Sequence, residues 1–305
     1  PIPRMRRVAA PSSPGVLLSF RPTMWLLEAA IVHVPFAFHL GPLTVTGFGL
    51  GVLAGFWIGQ LVGQRELARR GFDPDPVSDV VMAAVLGFIV GAKLYYAALV
   101  GDWSALLSRA GFVFWGGLAG GVAAGWIVIR RKGIPFWRIA DVAGPGIAAG
   151  YAVGRTGCWA VGDDYGKPWP GGWLAVEFPQ GAPPSTAGVM AREFGIAMPP
   201  GAGPDTVLAV HPTQLYEVAM GLIMFAILWR LRDHRHAEGW LFGLYCVLAG
   251  IERFIVEIFR AKDDRFFGPL TTAQLVAVAV SLVGVALVVR FRTPGGSWNR
   301  RVNAP

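Results

Sequence analysis

Eleven residues, Gly154-Arg155-Thr156-Gly157-Cys158-Trp159-Ala160-Val161-Gly162-Asp163-Asp164, end a long apolar stretch with a guanidinium, flanking glycines and two carboxylates. A guanidinium at membrane depth costs about 2.5 kcal/mol or more on insertion scales and commonly marks a ligand or ion site. Glycines such as Gly154 and Gly157 let backbone or ligand approach where a Cβ would not fit. The plainer reading is that Arg155 snorkels to lipid headgroups while the glycines only pack helices. These eleven residues alone do not separate the two.

Three other stretches carry polar groups through apolar surroundings. Glu252, Arg253, Glu257 and Arg260 lie in one run, and Arg253, Glu257 and Arg260 repeat at i, i+4, i+7, which places them on one helical face. An ion pair between Arg253 and Glu257 that merely neutralises itself is the plainer account. His211-Pro212-Thr213-Gln214-Leu215-Tyr216-Glu217 opens a second run. There Pro212 suits a first helical position, and His211, Gln214 and Glu217 fall three residues apart on one side. A helix begun this way turns its exposed amides, with partial positive charge, toward an anion, although a histidine before a helical proline is more often a cap than a catalyst. Phe114-Trp115-Gly116-Gly117-Leu118 opens a third run and offers a second such end. Lys93 either snorkels or faces the same chamber.

The elements that must position these groups are membrane spans. Of 305 residues, 54% are hydrophobic and 15% charged, where a soluble domain carries about 25% charge. The net charge of +8 does not indicate nucleic-acid binding, because the basic residues sit in short clusters between apolar runs, as loop charges do. Cys158 and Cys246 both have apolar neighbours and give no metal or disulfide framework. A single outer-face histidine without partners is no zinc site, so no metal or cofactor is expected.

Seven runs reach the about 20 residues needed to cross a bilayer: Leu43–Gly63, Val77–Val100, Phe112–Arg130, Trp137–Val161, Pro212–Leu231, Trp240–Phe259 and Leu270–Val289. The predicted fold is an all-α integral membrane protein, with residues 1–42 an interfacial or outer segment, 43–290 the seven-helix domain and 291–305 a tail. Alternate connections are rich in Arg and Lys (65–70, 130–138, 230–235, 290–301), which predicts the N-terminus outside and the C-terminus in the cytoplasm. Residues 162–210, rich in Gly and Pro with several aromatics, are predicted to form a small outer cap. Glycines at four-residue spacing (Gly117, Gly121, Gly125; Gly146, Gly150, Gly154) predict close helix crossings. Gly144-Pro145-Gly146 lacks the preceding strand that a nucleotide loop requires.

Counted from the inner face, Arg155 lies about 26 Å up the fourth span, and Arg253 and Glu257 about 20 and 26 Å up the sixth. Arg155, Arg253 and, on one of its two readings, Lys93 are thus expected at one outer-leaflet level, with Glu257, Glu217, Asp163 and His211 nearby. Excess positive potential beside carboxylates suits a phosphate-bearing lipid, the guanidiniums gripping the phosphate and a base handling a proton.

These motifs, in this order, resemble those of the prolipoprotein diacylglyceryl transferases, bacterial inner-membrane enzymes with seven spans and a periplasmic cap. The resemblance runs from roughly Thr46 to Arg290. Its carriers are Gly154-Arg155-x-Gly157, His211-Pro-x-Gln214-Leu-Tyr216-Glu217, Arg253-x-x-x-Glu257-x-x-Arg260 and Gly116-Gly117-Leu118. It implies transfer of a diacylglyceryl group from phosphatidylglycerol to the lipobox cysteine of prolipoproteins, releasing glycerol phosphate. Arg155 resembles the family's phospholipid-binding arginine; Arg253 and Glu257 match its essential arginine and following glutamate. Several positions depart from the pattern: Trp115 stands where the family commonly has His, Phe48 where it has Tyr, and Cys158, Val161 and Asp163 where it has Asn, Asn and Glu. The base is then expected among Glu257, Asp163 and His211. The alternative is a non-catalytic lipid-binding or lipid-translocating relative.

Overall fold

The computed structural model describes residues 31–41, 43–107, 111, 113–261, 265–267 and 269–293. The expectations for residues 1–30 and for the tail beyond residue 293 lie outside the described residues. Among those described, seven helices run for 18 to 26 residues: α1 (Gly47–Arg69), α2 (Asp75–Val100), α3 (Phe114–Arg131), α4 (Phe136–Val161), α6 (Thr213–Leu231), α7 (Trp240–Phe259) and α8 (Thr272–Arg290). A short α5 (Ala187–Phe194) interrupts the series. By length and apolarity α2, α6 and α8 qualify as membrane-crossing helices. Of the other four, α1 and α3 are glycine-rich, and α4 and α7 carry charged side chains within their length. The protein is mostly helical, with apolar side chains such as Leu53, Val122 and Leu282 about two-thirds exposed on its flanks, as lipid-facing helices require.

The first helix starts later than its hydrophobicity predicts. Leu43–Thr46 forms a strand (β3) paired antiparallel with Ala37–Leu40 (β2), after the short β1 (Ile31–Val32). The β-branched run Thr44-Val45-Thr46 favours that hairpin, and the Thr46 hydroxyl then accepts the Gly49 amide at 3.3 Å to start α1. Pro212 likewise caps α6 rather than opening it. Gly144-Pro145-Gly146 lies within α4.

Three helix pairs make up the bundle: α1 with α4, α2 with α3, and α7 with α8, with α6 packed on α4. Glycine permits the closest approaches. A Cβ at Gly55 would stand 2.6 Å from the Gly150 carbonyl oxygen, and one at Gly59 3.0 Å from that of Gly146. Gly121 meets α2 in the same way, 2.9 Å from the Ala84 carbonyl, whereas Gly154 has open space before it.

Helix α7 has no side-chain cap of its own; Asp141 of α4, fully buried, accepts the amides of Gly239 at 2.8 Å and Phe242 at 2.9 Å. This clamp sets the register of α4 against α7. Fourteen residues beyond Asp141 and fourteen beyond Gly239, a rise of about 21 Å on each helix, stand Arg155 and Arg253.

At that end the chain between α4 and α6 folds into a small packed unit. Val176–Glu177 (β4) pairs parallel with β1 and antiparallel with Ala209–Val210 (β5). Phe178, Met190, Val210, Tyr165 and Ala261 form its core. His33 of the N-terminal segment inserts between Trp159 and Phe178. Arg265–Phe267 (β6) and Leu270–Thr271 (β7) make a last hairpin, from which Thr271 and Gln274 box the start of α8.

Candidate active site

Glu217, fully buried one turn into α6, is the hub of the polar cluster. Its Oε1 pairs with Arg155 Nη2 and lies 3.9 Å from Nη1 of both Arg253 and Arg260. Arg253 Nη2 in turn grips Glu257 at 2.6 Å, and Arg260 Nε lies 3.8 Å from the same carboxylate. Asp164 closes the ring, one oxygen accepting Arg155 Nη1 and the other Arg260 Nη2, each at 2.8 Å. Tyr151, one turn before Arg155 on α4, places its hydroxyl 3.1 Å from Glu217 and 2.9 Å from Glu252. Guanidiniums of α4 and of the α7 end thus meet around one buried carboxylate.

The loop bearing the carboxylates is held by the start of α6. Thr213 Oγ1 donates to the Asp164 carbonyl at 2.6 Å and Gln214 Nε2 to the Asp163 carbonyl at 2.5 Å. With its backbone so held, Asp164 adopts a left-handed conformation, φ 56°, which Asp tolerates better than most residues. Burial alone would raise the Asp164 carboxyl, but Arg260 and then Arg155 outweigh it and hold it down at about 2. Asp163 differs: burial, and then the neighbouring Asp164 charge, push it up to about 6, and its Oδ1 finds no hydrogen-bond partner among the described residues.

Unpartnered polar atoms gather here. Arg155 Nε, Arg260 Nε, Glu217 Oε2, Glu257 Oε1 and Gln214 Oε1 are buried without a described hydrogen bond. A buried unmet donor or acceptor costs about 1–3 kcal/mol, so such a cluster calls for polar partners, water or a ligand. Donors and acceptors are both available, cationic donors for a phosphate and anionic acceptors for hydroxyls. Cys158, Asp163 and Asp164 also bring ligand atoms within 4.8 Å of one another, but both Asp164 oxygens are already committed to arginines.

Other expected site residues lie differently. His211 stacks on Trp169 at 4.3 Å, and its Nδ1 lies 3.1 Å from the Tyr216 hydroxyl. Burial, reinforced by Lys167, lowers its pKa. Its backbone pairs with Gly166 and Lys167, so it braces the loop. No described contact joins Lys93, half-buried on α2, to the arginine cluster. Gly116 and Gly117 pack against Tyr95 and Phe88 of α2. Trp115 and Phe48 are about half exposed. Cys158 Sγ sits 3.3 Å from Arg155 Nη1.

Tyr151 is a residue that motif reasoning passed over, and Asp164 and Glu252, although named in their runs, were given no role. Tyr151 and Gly154 also line an apolar cleft of about 490 Å³ between α1, α2 and α4, walled by Val52, Phe56, Val81 and Ile147. One turn of α4 therefore divides a charged cluster from an apolar cleft.

The family model described as prolipoprotein diacylglyceryl transferase matches residues 35–290. A phosphatidylglycerol–prolipoprotein diacylglyceryl transferase of Xanthomonas oryzae pv. oryzae (strain PXO99A) is 34% identical, over 85% of this chain and 91% of its own length. The proteins of the same name from Solidesulfovibrio magneticus and Lysinibacillus sphaericus are 32% and 31% identical, each across more than nine-tenths of its own length and about 85% of this chain. This chain belongs to the prolipoprotein diacylglyceryl transferase family.

Proposed function

We propose that this transferase moves the diacylglyceryl group of phosphatidylglycerol to the lipobox cysteine of prolipoprotein signal peptides, releasing glycerol phosphate. The observation that carries the reading is the junction at Tyr151 and Gly154: guanidiniums on one side, an apolar cleft on the other. A phospholipid has those two parts in that order. Its acyl chains fill the cleft between α1, α2 and α4, and its phosphate sits among Arg155, Arg253 and Arg260. Arg253 is the most exposed of the three, with its side chain 32% accessible, and meets the headgroup first.

The thiol proton passes to Asp163. The thiolate then attacks the glyceryl carbon bearing the phosphoester. A carbon–sulfur bond forms as the carbon–oxygen bond breaks, and glycerol phosphate leaves with its new charge facing the arginines. A carboxylate near pKa 6 is matched to accepting a proton near neutral pH, and preorganised cations beside a leaving phosphate supply the main stabilisation. Asp163 is preferred to His211, which is stacked and hydrogen-bonded away from the cluster, and to Glu257, which Arg253 grips. The seven long helices cross the bacterial inner membrane with the arginine end toward the periplasm, the unit between α4 and α6 forming the cap.

Incubating the purified protein with phosphatidylglycerol and a lipobox peptide tests this directly. Mass spectrometry is expected to find a thioether-linked diacylglyceryl peptide. Arg155→Ala and Arg253→Ala are each expected to lower turnover by about two orders of magnitude or more. Full activity in Arg155→Ala would refute the phosphate assignment. Lipid retention without thioether product would instead mark a non-catalytic relative.

A further inference from the structure

Tyr151 sits between two carboxylates, and proton counting across that contact leads beyond the substrate assignment. Its hydroxyl oxygen lies 2.9 Å from Glu252 Oε1 and 3.1 Å from Glu217 Oε1. A phenol has one proton to donate, and an ionised carboxylate only accepts. With both glutamates charged, one of the two contacts would oppose oxygen lone pairs with no hydrogen between them. A second proton satisfies both at once. Glu217 already receives Arg155 and faces Arg253 and Arg260, so its charged form is the better held. Glu252 is buried, and its closest described polar contact is the phenol.

We infer that Glu252 is a positioning residue that carries the second proton, donating to Tyr151, which donates to Glu217 and thereby fixes the carboxylate that orients Arg155. Arg155, Arg253 and Arg260 are paired with Glu217, Glu257 and Asp164, and no described ion pair reaches Glu252. The chain of donors crosses three helices, α7 to α4 to α6, and needs no exchange with solvent. No proton moves along it during turnover; it holds a geometry. The effect on catalysis rests on the transferase reading, but the location of the proton does not.

Two readouts separate these. Infrared spectra of the detergent-solubilised full chain at about pH 8, where Asp163 is ionised, are expected to contain a protonated-carboxyl stretch that shifts in D2O and vanishes in Glu252→Gln. In the thioether assay, Glu252→Gln keeps a donor at that position and is expected to stay within about threefold of the wild-type kcat. Tyr151→Phe and Glu252→Ala break the chain and are expected to lose about tenfold or more in kcat, with KM for phosphatidylglycerol changing less. The proposal is overturned if the wild type shows no such band, if the band survives in Glu252→Gln, or if Glu252→Gln falls as far as Tyr151→Phe. Should Glu252→Ala fail to fold, the Gln and Phe variants carry the comparison. Should the wild type form no thioether at all, the functional reading fails, and the infrared band alone decides where the proton resides.

Discussion

Asp163 and Asp164 are neighbours with opposite electrostatic fates, and the difference sets a pH profile. Asp164 is bracketed by two guanidiniums at 2.8 Å and stays charged at any pH an assay would use. Asp163 is pushed up to about 6, and as a base it works only when unprotonated. Log kcat/KM is therefore expected to be level above about pH 7 and to fall by about one per pH unit below about pH 5. Asp163→Asn should lower activity at every pH and erase that limb. A profile flat down to about pH 4.5 would remove Asp163 from the role. Asp164→Asn tolerates the left-handed backbone but loses the tie between Arg155 and Arg260, so it should fold, keep the limb and turn over more slowly. Which of the two aspartates bridges the arginines was not legible in the sequence, because it depends on the sign of φ at residue 164. Arg253 and Glu257 were legible as neighbours, because i, i+4 spacing on a helix leaves little freedom, whereas Arg260 lies one residue past α7 with extended backbone and does not share the helical face that the i+7 spacing predicts. Tyr151 was hidden as one aromatic in an apolar run.

At the scale of elements, the site depends on one helix being clamped to another far from it. Asp141 accepts two amides at the start of α7, and equal rises from there bring Arg155 and Arg253 level. Asp141→Ala leaves those two amides unpaired, the buried one of Gly239 at a cost of about 1–3 kcal/mol and the half-buried one of Phe242 at less. It is expected to lower both the melting temperature and the transferase rate, although no substrate contact changes. Asp141→Asn keeps one acceptor oxygen and should fall between. An Asp141→Ala protein with wild-type stability would show that the clamp does not set the register. The glycine pairs make a parallel case. Gly55→Ala puts a Cβ 2.6 Å from a backbone oxygen that cannot move alone, whereas at Gly49 the nearest group is a hydroxyl at 3.8 Å. Detergent melting curves should separate the two, Gly55→Ala well below wild type and Gly49→Ala close to it. The helices themselves were legible to within a few residues, since apolar runs and capping residues are local. The β2–β3 hairpin was not, because Leu43–Thr46 is as apolar as the helix it precedes, and only its pairing with residues 37–40 removes it from α1.

For the molecule as a whole, the two ends of the bundle are built from different kinds of connection. At one end Arg69 pairs with Asp233 at 2.8 Å, Arg138 with Glu238 at 2.9 Å, and the Ala237 amide meets the Phe291 and Thr293 carbonyls. The basic connections after α1, α3, α6 and α8 thus share an end, which loop charge alone had already grouped. The other end holds the arginine chamber and the small unit built on Phe178 and Met190. The contact of His33 with that unit had no sequence signal, because a parallel pairing across more than a hundred residues leaves no local trace. Basic loops stay on the cytoplasmic side during insertion, so the arginine cluster is expected to face outward, the side on which the proposed thiol substrates would meet it. Single cysteines introduced at Thr206 and Arg235, both exposed, test this against the two native thiols, both buried. In intact cells a membrane-impermeant maleimide should label Thr206→Cys directly and Arg235→Cys only after permeabilisation. The reverse pattern would put the phosphate chamber on the cytoplasmic side, away from its thiol substrates. The reaction proposed for it would then have to be abandoned even with every arginine correctly placed.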